Sequence, residues 1–465
     1  MAELEEFGYA QELRRSLGFR DLVIYGLVFM VPIAPFGIFG SVYAASGGMV
    51  ALAYAVGALA MVFTAISYAE MAKAFPMAGS VYTYAGRGLA QPVGFVAGWA
   101  ILLDYILVPA LLYIVSGVAM HSFVPAVPVW AWVVAFVVLN TVINYFGIAL
   151  TARVTKYMLV AELIVLAIFL AVGVWALASG RGHFSFDAWF DPGTFSVGVV
   201  FAAVSIAVLS FLGFDAISTL AEENREDARK IGRSMVAALA LAAVLFVAQT
   251  WVASMLVADP QALLAGKGDV DGAFYDAAGA AGGAWLATLT AIATAVAWGF
   301  ADALVAQAAT SRILFSMARD RQLPRFLRQV HPRHRVPTNA TLVIAAVSLI
   351  VGVTLATRSD AVTLLSTMVN FGALTAFLLL HVSVLGHYAV RRGSRTVKHV
   401  VVPVCGLVIL GYVMWSANVA AQVVGLVWLA VGIVLAIGLR LAGRTPTMAG
   451  MNRGGPDGDE PPAGG

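Results

Sequence analysis

Val31-Pro-Ile-Ala-Pro-Phe-Gly-Ile-Phe-Gly40 interrupts an apolar run that extends from Leu22 to Tyr43. A run of ~20 apolar residues is long enough to cross a bilayer as a helix. Pro32 and Pro35 each remove a backbone donor and clash with the preceding turn, and Gly37 and Gly40 lie at the same depth. Taken alone this reads as a proline kink. Five apolar runs later, Ser210-Phe-Leu-Gly-Phe-Asp-Ala-Ile-Ser-Thr219 places Gly213, Asp215 and two hydroxyl residues inside the run from Ser196 to Ala221. Broken backbone at membrane depth is tolerated only where protein buries it or where it lines a wet cavity. Two interrupted spans at corresponding positions of two halves point to an inverted repeat, with a solute site at the repeat interface.

The rest of the chain agrees with a polytopic membrane protein. Of 465 residues, 61% are hydrophobic and 11% charged, against roughly 25% charged in soluble domains. The other runs are Met49 to Met71, Gln91 to Met120, Trp130 to Leu150, Lys156 to Ala178, Ser234 to Val257, Ala284 to Met317, Pro337 to Ala356, Ala361 to His387, Val400 to Trp415 and Ala420 to Leu441. The reading is therefore all-α, about twelve transmembrane helices with the first and sixth broken. It comprises an N-terminal segment (1–21), a ten-helix core (22–387), peripheral helices eleven and twelve (388–441) and a disordered tail (442–465). The first run is too long for a removable signal peptide and lacks a small-residue cleavage site.

Charge placement sets the topology. With the N-terminus inside, Arg14, Arg15, Arg20, Lys73, Arg87, Arg153, Arg225, Arg229, Lys230, Arg233 and the clusters Arg319 to Arg335 and Arg391 to Lys398 share one face. Only Arg181, Lys267 and Arg358 fall on the other. Basic loops stay cytoplasmic, so both termini are expected inside a bacterial inner membrane. Topogenic charge beside lipid accounts for every cluster, and no nucleic-acid partner is expected. The single cysteine, Cys405, excludes an intrachain disulfide or a cysteine metal cluster.

Several segments carry a family resemblance. They are Ala74-Phe-Pro-Met-Ala-Gly-Ser-Val-Tyr-Thr-Tyr84, Gly98-Trp-Ala-Ile-Leu-Leu-Asp-Tyr105, Ser210 through Glu223, Thr310-Ser-Arg-Ile-Leu-Phe-Ser-Met-Ala-Arg-Asp320 with Leu323-Pro324, Val330-His-Pro332 and Asn370-Phe-Gly-Ala-Leu374. In this order and over nearly the whole length, the chain resembles the amino acid, polyamine and organocation (APC) transporter superfamily, and within it the bacterial putrescine-importer-like branch. The resemblance implies a LeuT-like five-plus-five inverted repeat, with solute held between the broken helices and helices three, eight and ten around it. It also implies a permease coupled to a proton or sodium gradient, or exchanging one solute for another. Two departures stand out. Many amino-acid-carrying relatives have a Gly-Ser-Gly-like stretch whose N–H groups hold a carboxylate, where this chain has Pro35-Phe36-Gly37. The putrescine-importer branch matches Phe36 and Phe39 better, yet tends to carry an acid at the position of Gly37.

The helix interiors hold acids and essentially no base. Asp104 lies in the third span, Glu162 in the fifth, Asp215 at the sixth-helix break and Asp302 in the eighth. A charge at the bilayer centre costs at least ~2.5 kcal/mol on insertion scales, so these groups either titrate or meet a cation. Asp215 reads as a cap of the inner half-helix or a solute contact, and Asp104 as a brace or a ligand. Relatives that place a lysine near Glu162, where sodium-coupled cousins bind an ion, make this acid a candidate for proton coupling, together with Asp302 and Asp104. Asp302 lies about ten residues, roughly 15 Å of helix, from Arg312. The solute site is expected among Ala34, Pro35, Phe36, Gly37, Tyr105, Ser210, Gly213, Phe214, Asp215 and Asp302, with Trp298 and other rings nearby suited to an ammonium group. Glu222 and Glu223 pair with Arg225, Arg229 or Arg312 as an inner gate or brace. Of the histidines, which lie mostly in loops, His331 and His334 are separated by Pro332, so no helical metal pair forms and no metal, cofactor or enzyme activity is expected. An amine sensor on the same fold is the other reading.

Overall fold

The computed structural model describes residues 12–265, 270, 272–358, 361–417 and 419–441. Lys267 and the tail beyond 441, both used in the sequence reading, lie outside the described residues. Within them the chain is helical, with one isolated parallel bridge between Leu17 and Asn224. The α-helices are α1 (Phe19–Met30), α2 (Pro35–Ala45), α3 (Val50–Ala74), α4 (Ser80–Gly88), α5 (Gln91–Phe123), α6 (Val129–Tyr145), α7 (Ile148–Ala178) and α8 (Val197–Ala207). They continue as α9 (Arg229–Ser254), α10 (Pro260–Leu264), α11 (Ala273–Gly282), α12 (Ala284–Val296), α13 (Ala303–Arg319), α14 (Thr338–Leu355), α15 (Ala361–Val384), α16 (Val401–Trp415) and α17 (Val419–Leu441). Eight helical stretches are long and apolar enough to cross a membrane, nine when α1 and α2 count as one bent span, and three shorter apolar helices accompany them. This is a multi-pass membrane protein.

The first interruption falls where the prolines demand it. α1 ends at Met30, and α2 starts with Pro35 at its first turn, where a missing donor costs nothing. The two axes meet at 55°. Between them Val31 has φ 50°, a left-handed conformation that a β-branched residue adopts only under constraint. Gln249 of α9 supplies part of that constraint, its Nε2 donating to the Pro32 carbonyl at 2.9 Å.

The sixth span breaks differently. α8 tightens into a 3-10 turn at Val208–Phe211, the chain reverses hand at Gly213 (φ 112°), and a second 3-10 segment runs from Phe214 to Glu223. A Cβ on Gly213 would sit 2.7 Å from the Phe29 ring, so glycine is required by both conformation and contact. The two breaks therefore abut. Around them α3 packs along α9 and α5 along α15.

Several elements were absent from the sequence reading, among them α10 and α11 between the seventh and eighth runs. α4 is a buried helix in the segment between the second and third spans. The eighth span carries a π-helical turn at Ala297–Asp302 between α12 and α13, and such turns recur at functional sites. The histidines also need correcting: His381 is fully buried in α15, bonded to Ser67 (2.9 Å) and Thr64 (3.3 Å), and His387 is buried in the π-helical continuation of that helix.

Candidate functional site

The breaks frame a cavity of about 60 Å³, lined by Met30, Val31 and Ala34 of the first, by Ser210, Gly213 and Asp215 of the sixth, and by Asp104, Tyr105 and Asp302. That is room for a handful of waters. Its remaining walls are apolar, among them Val108, Leu112 and Leu212. No lysine or arginine lines it.

The acids differ in what they touch. Asp215 is held: its Oδ2 accepts from Tyr105 Oη at 2.6 Å and Tyr68 Oη at 3.5 Å, and its Oδ1 accepts from the Gly213 N–H at 3.3 Å. The bond from the Gly213 N–H ties the Asp215 carboxylate to the break itself. Tyr105 is itself fixed, through Thr310 Oγ1 donating to its carbonyl at 2.7 Å and an edge-on Phe29 ring at 6.1 Å. Asp302 keeps Oδ1 unpartnered although buried, and Glu162 keeps both carboxylate oxygens unpartnered. The two are close enough to interact electrostatically, as are Asp302 with Asp104 and Asp104 with Asp215. Glu162, Asp302, Asp104 and Asp215 thus lie in electrostatic succession from α7 to the sixth-span break.

Asn140 of α6 holds that π-turn, donating to the Gly299 carbonyl at 3.2 Å and to Tyr113 Oη at 3.1 Å. Neither Asn140 nor Gln249 figured in the sequence reading. Their signal is a buried amide facing a helix interruption on another span, which needs the fold to be seen.

Of the expected solute contacts, Ala34, Tyr105, Ser210, Gly213, Asp215 and Asp302 converge on the cavity. Phe36 instead stacks on Phe274 at 3.9 Å, and Phe214 packs edge-on against Tyr68 at 5.9 Å. Pro35 caps α2 without reaching the lining, and Gly37 lines a second space. This is a vestibule of about 1380 Å³ reaching Arg358 and Ser416 at helix ends remote from the arginine clusters. Ile38, Leu111, Leu209 and Trp298 line both spaces and so form the partition between them.

The opposite side carries buried ion pairs. Arg319 grips Glu222 with two bonds (Nη1 to Oε2 2.9 Å, Nη2 to Oε1 2.7 Å), and the same carboxylate accepts from the Ala78 N–H at 3.0 Å. Arg312 Nε donates to Glu223, while its Nη1 caps the Ala308 carbonyl at 2.7 Å. All four side chains come from the second half of the sixth span and the second half of α13; Glu223 meets Arg312, one of the partners the sequence offered, whereas Glu222 meets Arg319, which it did not.

The sequence pattern described as amino acid permease matches residues 22–442. The chain belongs to the amino acid permease family. This permease is 30% identical over 444 residues to the low-affinity putrescine importer PlaP of Escherichia coli K12, covering 91% of this chain and 93% of that one. It is 29% identical over 452 residues to the branched-chain amino acid permease BcaP of Bacillus subtilis, with the same coverage. The methylthioribose transporter of Bacillus subtilis is similar at 25% identity over 452 residues. The superfamily seen in the sequence motifs is thereby established, and the protein is a membrane transporter, not an enzyme.

Proposed function

We propose that this permease takes up a small amine-bearing solute, an amino acid or a polyamine, by proton-coupled alternating access. The observation that carries the reading is the cavity where the two breaks meet, which presents Asp104, Asp215 and Asp302 with no basic side chain to neutralise them. An ammonium group is the partner such a lining lacks. The putrescine importer among the relatives acts on a diamine and the branched-chain permease on amino acids, and both cargoes carry an amine.

Further parts of the reading rest on the same frame. The bent first span and the eight other long spans, with the three shorter apolar helices, account for twelve crossings. A five-plus-five inverted repeat then relates the first break to the sixth, helices eleven and twelve lie outside it, and both termini face the cytoplasm of a bacterial inner membrane. In that orientation the vestibule opens outward and the Glu222, Glu223, Arg312 and Arg319 cluster closes the inner side. Trp298 stands in the partition between cavity and vestibule, so entry from the vestibule requires that partition to move. Glu162, with two unpartnered oxygens beside Asp302, is the group assigned to carry the proton.

Uptake of a panel of diamines, amino acids, sugars and nucleobases into proteoliposomes, with and without a protonophore, tests the reading. Amine or amino acid uptake that the protonophore abolishes is expected. Uptake of neutral sugars or nucleobases with failure of every amine overturns the substrate class. Protonophore-resistant, sodium-driven uptake overturns the coupling, and exchange without net flux favours an exchanger.

A further inference from the structure

The connection between α13 and α14 is densely basic. From Arg321 to Arg335 it holds Arg321, Arg325, Arg328, Arg333 and Arg335, two histidines and no acid. All five arginines are exposed, and none forms an ion pair among the described residues. Arg321 and Arg335, which bracket the loop, have φ 61° and 55°. A left-handed conformation at a residue with a Cβ costs roughly 1–2 kcal/mol and persists only where the surroundings fix it.

Between these residues a set of contacts holds the loop and aims its charges outward. Leu327 is buried beneath the 3-10 turn Arg325–Arg328, so Arg325, Phe326 and Arg328 point away, with Phe326 54% exposed. Asn339 Nδ2 ties the loop by donating to the Phe326 carbonyl at 2.9 Å and to Gln329 Oε1 at 2.8 Å. The rings of His331 and His334 pack on Tyr145 and Phe146, at 5.2 and 5.7 Å, joining the loop to the turn between α6 and α7. The patch is thus preformed, basic, and studded with exposed rings.

Its position selects the partner. The loop leaves the well-covered α12–α13 span, 67% buried inside the structure, but packs on the turn before α7 and leads into α14, the two least covered spans, at 28% and 39%. Lipid therefore fills the space directly beside the patch. Arginine forks match phosphate oxygens, and aromatic rings sit at headgroup depth.

We propose that the Arg321–Arg335 loop is a recognition surface for the phosphate headgroups of anionic phospholipids in the adjoining leaflet. Arg325, Arg328, Arg333 and Arg335 bind the phosphates, and Phe326 enters the interface between them. This goes beyond retention of basic loops on one side of the membrane, because it predicts a bound lipid of one charge class at one loop.

The full-length permease, purified in detergent, is to be incubated with equal amounts of phosphatidylglycerol and phosphatidylcholine, and retained lipid counted by mass spectrometry. Four variants of this surface loop, combined as R325Q/R328Q/R333Q/R335Q, remove the proposed contacts; R392Q/R395Q in the loop after α15 serves as the matched control. A melting temperature is recorded for each to establish that it is folded. Wild type and control are expected to prefer phosphatidylglycerol by about tenfold or more, given ~1 kcal/mol per basic residue near an anionic surface, and the quadruple variant to lose that preference. Substituting Phe326→Ser alone lowers retention of both lipids if the ring inserts. The proposal is overturned if the quadruple variant keeps the preference, or if the control loses it equally. It is also overturned if soluble glycerol phosphate or an RNA oligonucleotide displaces phosphatidylglycerol from the wild type at equimolar concentration.

Discussion

Asp302 and Asp215 are both buried aspartates of the same cavity, and they differ in what remains for a solute. Asp215 has both oxygens engaged by Tyr105, Tyr68 and the Gly213 N–H, whereas Asp302 Oδ1 has no partner. A charged hydrogen bond contributes about 1.5–3 kcal/mol. Asp302→Asn is therefore expected to raise KM for an amine by roughly ten- to a hundredfold, with the response to a proton gradient retained; an unchanged KM would remove Asp302 from the site. Glu162 presents the complementary case. It touches no donor and does not line the cavity, yet lies within electrostatic reach of Asp302. Glu162→Gln keeps size and hydrogen bonding while removing the exchangeable charge. Solute binding should stay within a few fold, and acceleration of uptake by an inward proton gradient should vanish. If the variant retains wild-type pH dependence, Glu162 is a packing residue and the proton travels elsewhere.

The two breaks were legible because their causes are local. Proline, glycine and their order along the chain state where a helix stops, and Pro35 and Gly213 do so here. What holds the breaks open was not legible, because it arrives from elsewhere. Gln249 reaches the Pro32 carbonyl of the first break across 217 residues, and Asn140 reaches Gly299 across 159, in an eighth-span π-turn that contains no proline to betray it. The same limit explains Phe36, which the sequence puts beside the break but whose direction is set by Phe274 and Phe169. The span positions of the acids were readable, whereas which oxygens are free depends on neighbours from other helices. At this scale Gly213→Ala is the decisive substitution. A Cβ would meet Phe29 at 2.7 Å in a conformation already disfavoured, so a loss of at least about 1–2 kcal/mol of stability is expected. It should appear as a lowered melting temperature together with lost uptake. Full stability and activity would mean that the break does not need its left-handed residue.

Across the whole molecule, the barrier proposed on the arginine-cluster side consists of buried ion pairs, while the one proposed toward the vestibule consists of the apolar residues that line both spaces. Glu223 joins three parts of the first barrier: its carboxylate meets Arg312, and its carbonyl accepts the N–H groups of Ser16 at 3.0 Å and Leu17 at 3.1 Å. Removing one partner of such a buried pair costs about 3–5 kcal/mol, because the other charge is left unpaired. Conformations of a transporter differ by only a few kcal/mol, so Glu223→Gln should depopulate the state that is shut on this side, while the backbone bonds to Ser16 and Leu17 remain available. The reporter is Ser205, which lines the vestibule. With Cys405→Ser as background, Ser205→Cys should react with a membrane-impermeant thiol reagent applied from the vestibule side. Adding Glu223→Gln should slow that reaction by about tenfold or more, since 1.4 kcal/mol already shifts a population tenfold. Combining Glu223→Gln with Arg312→Gln removes the stranded charge and should restore part of the rate. Equal rates in all three backgrounds would mean that the Glu223 and Arg312 pair does not help to hold this conformation, and that closure rests on Arg319 and Glu222 instead.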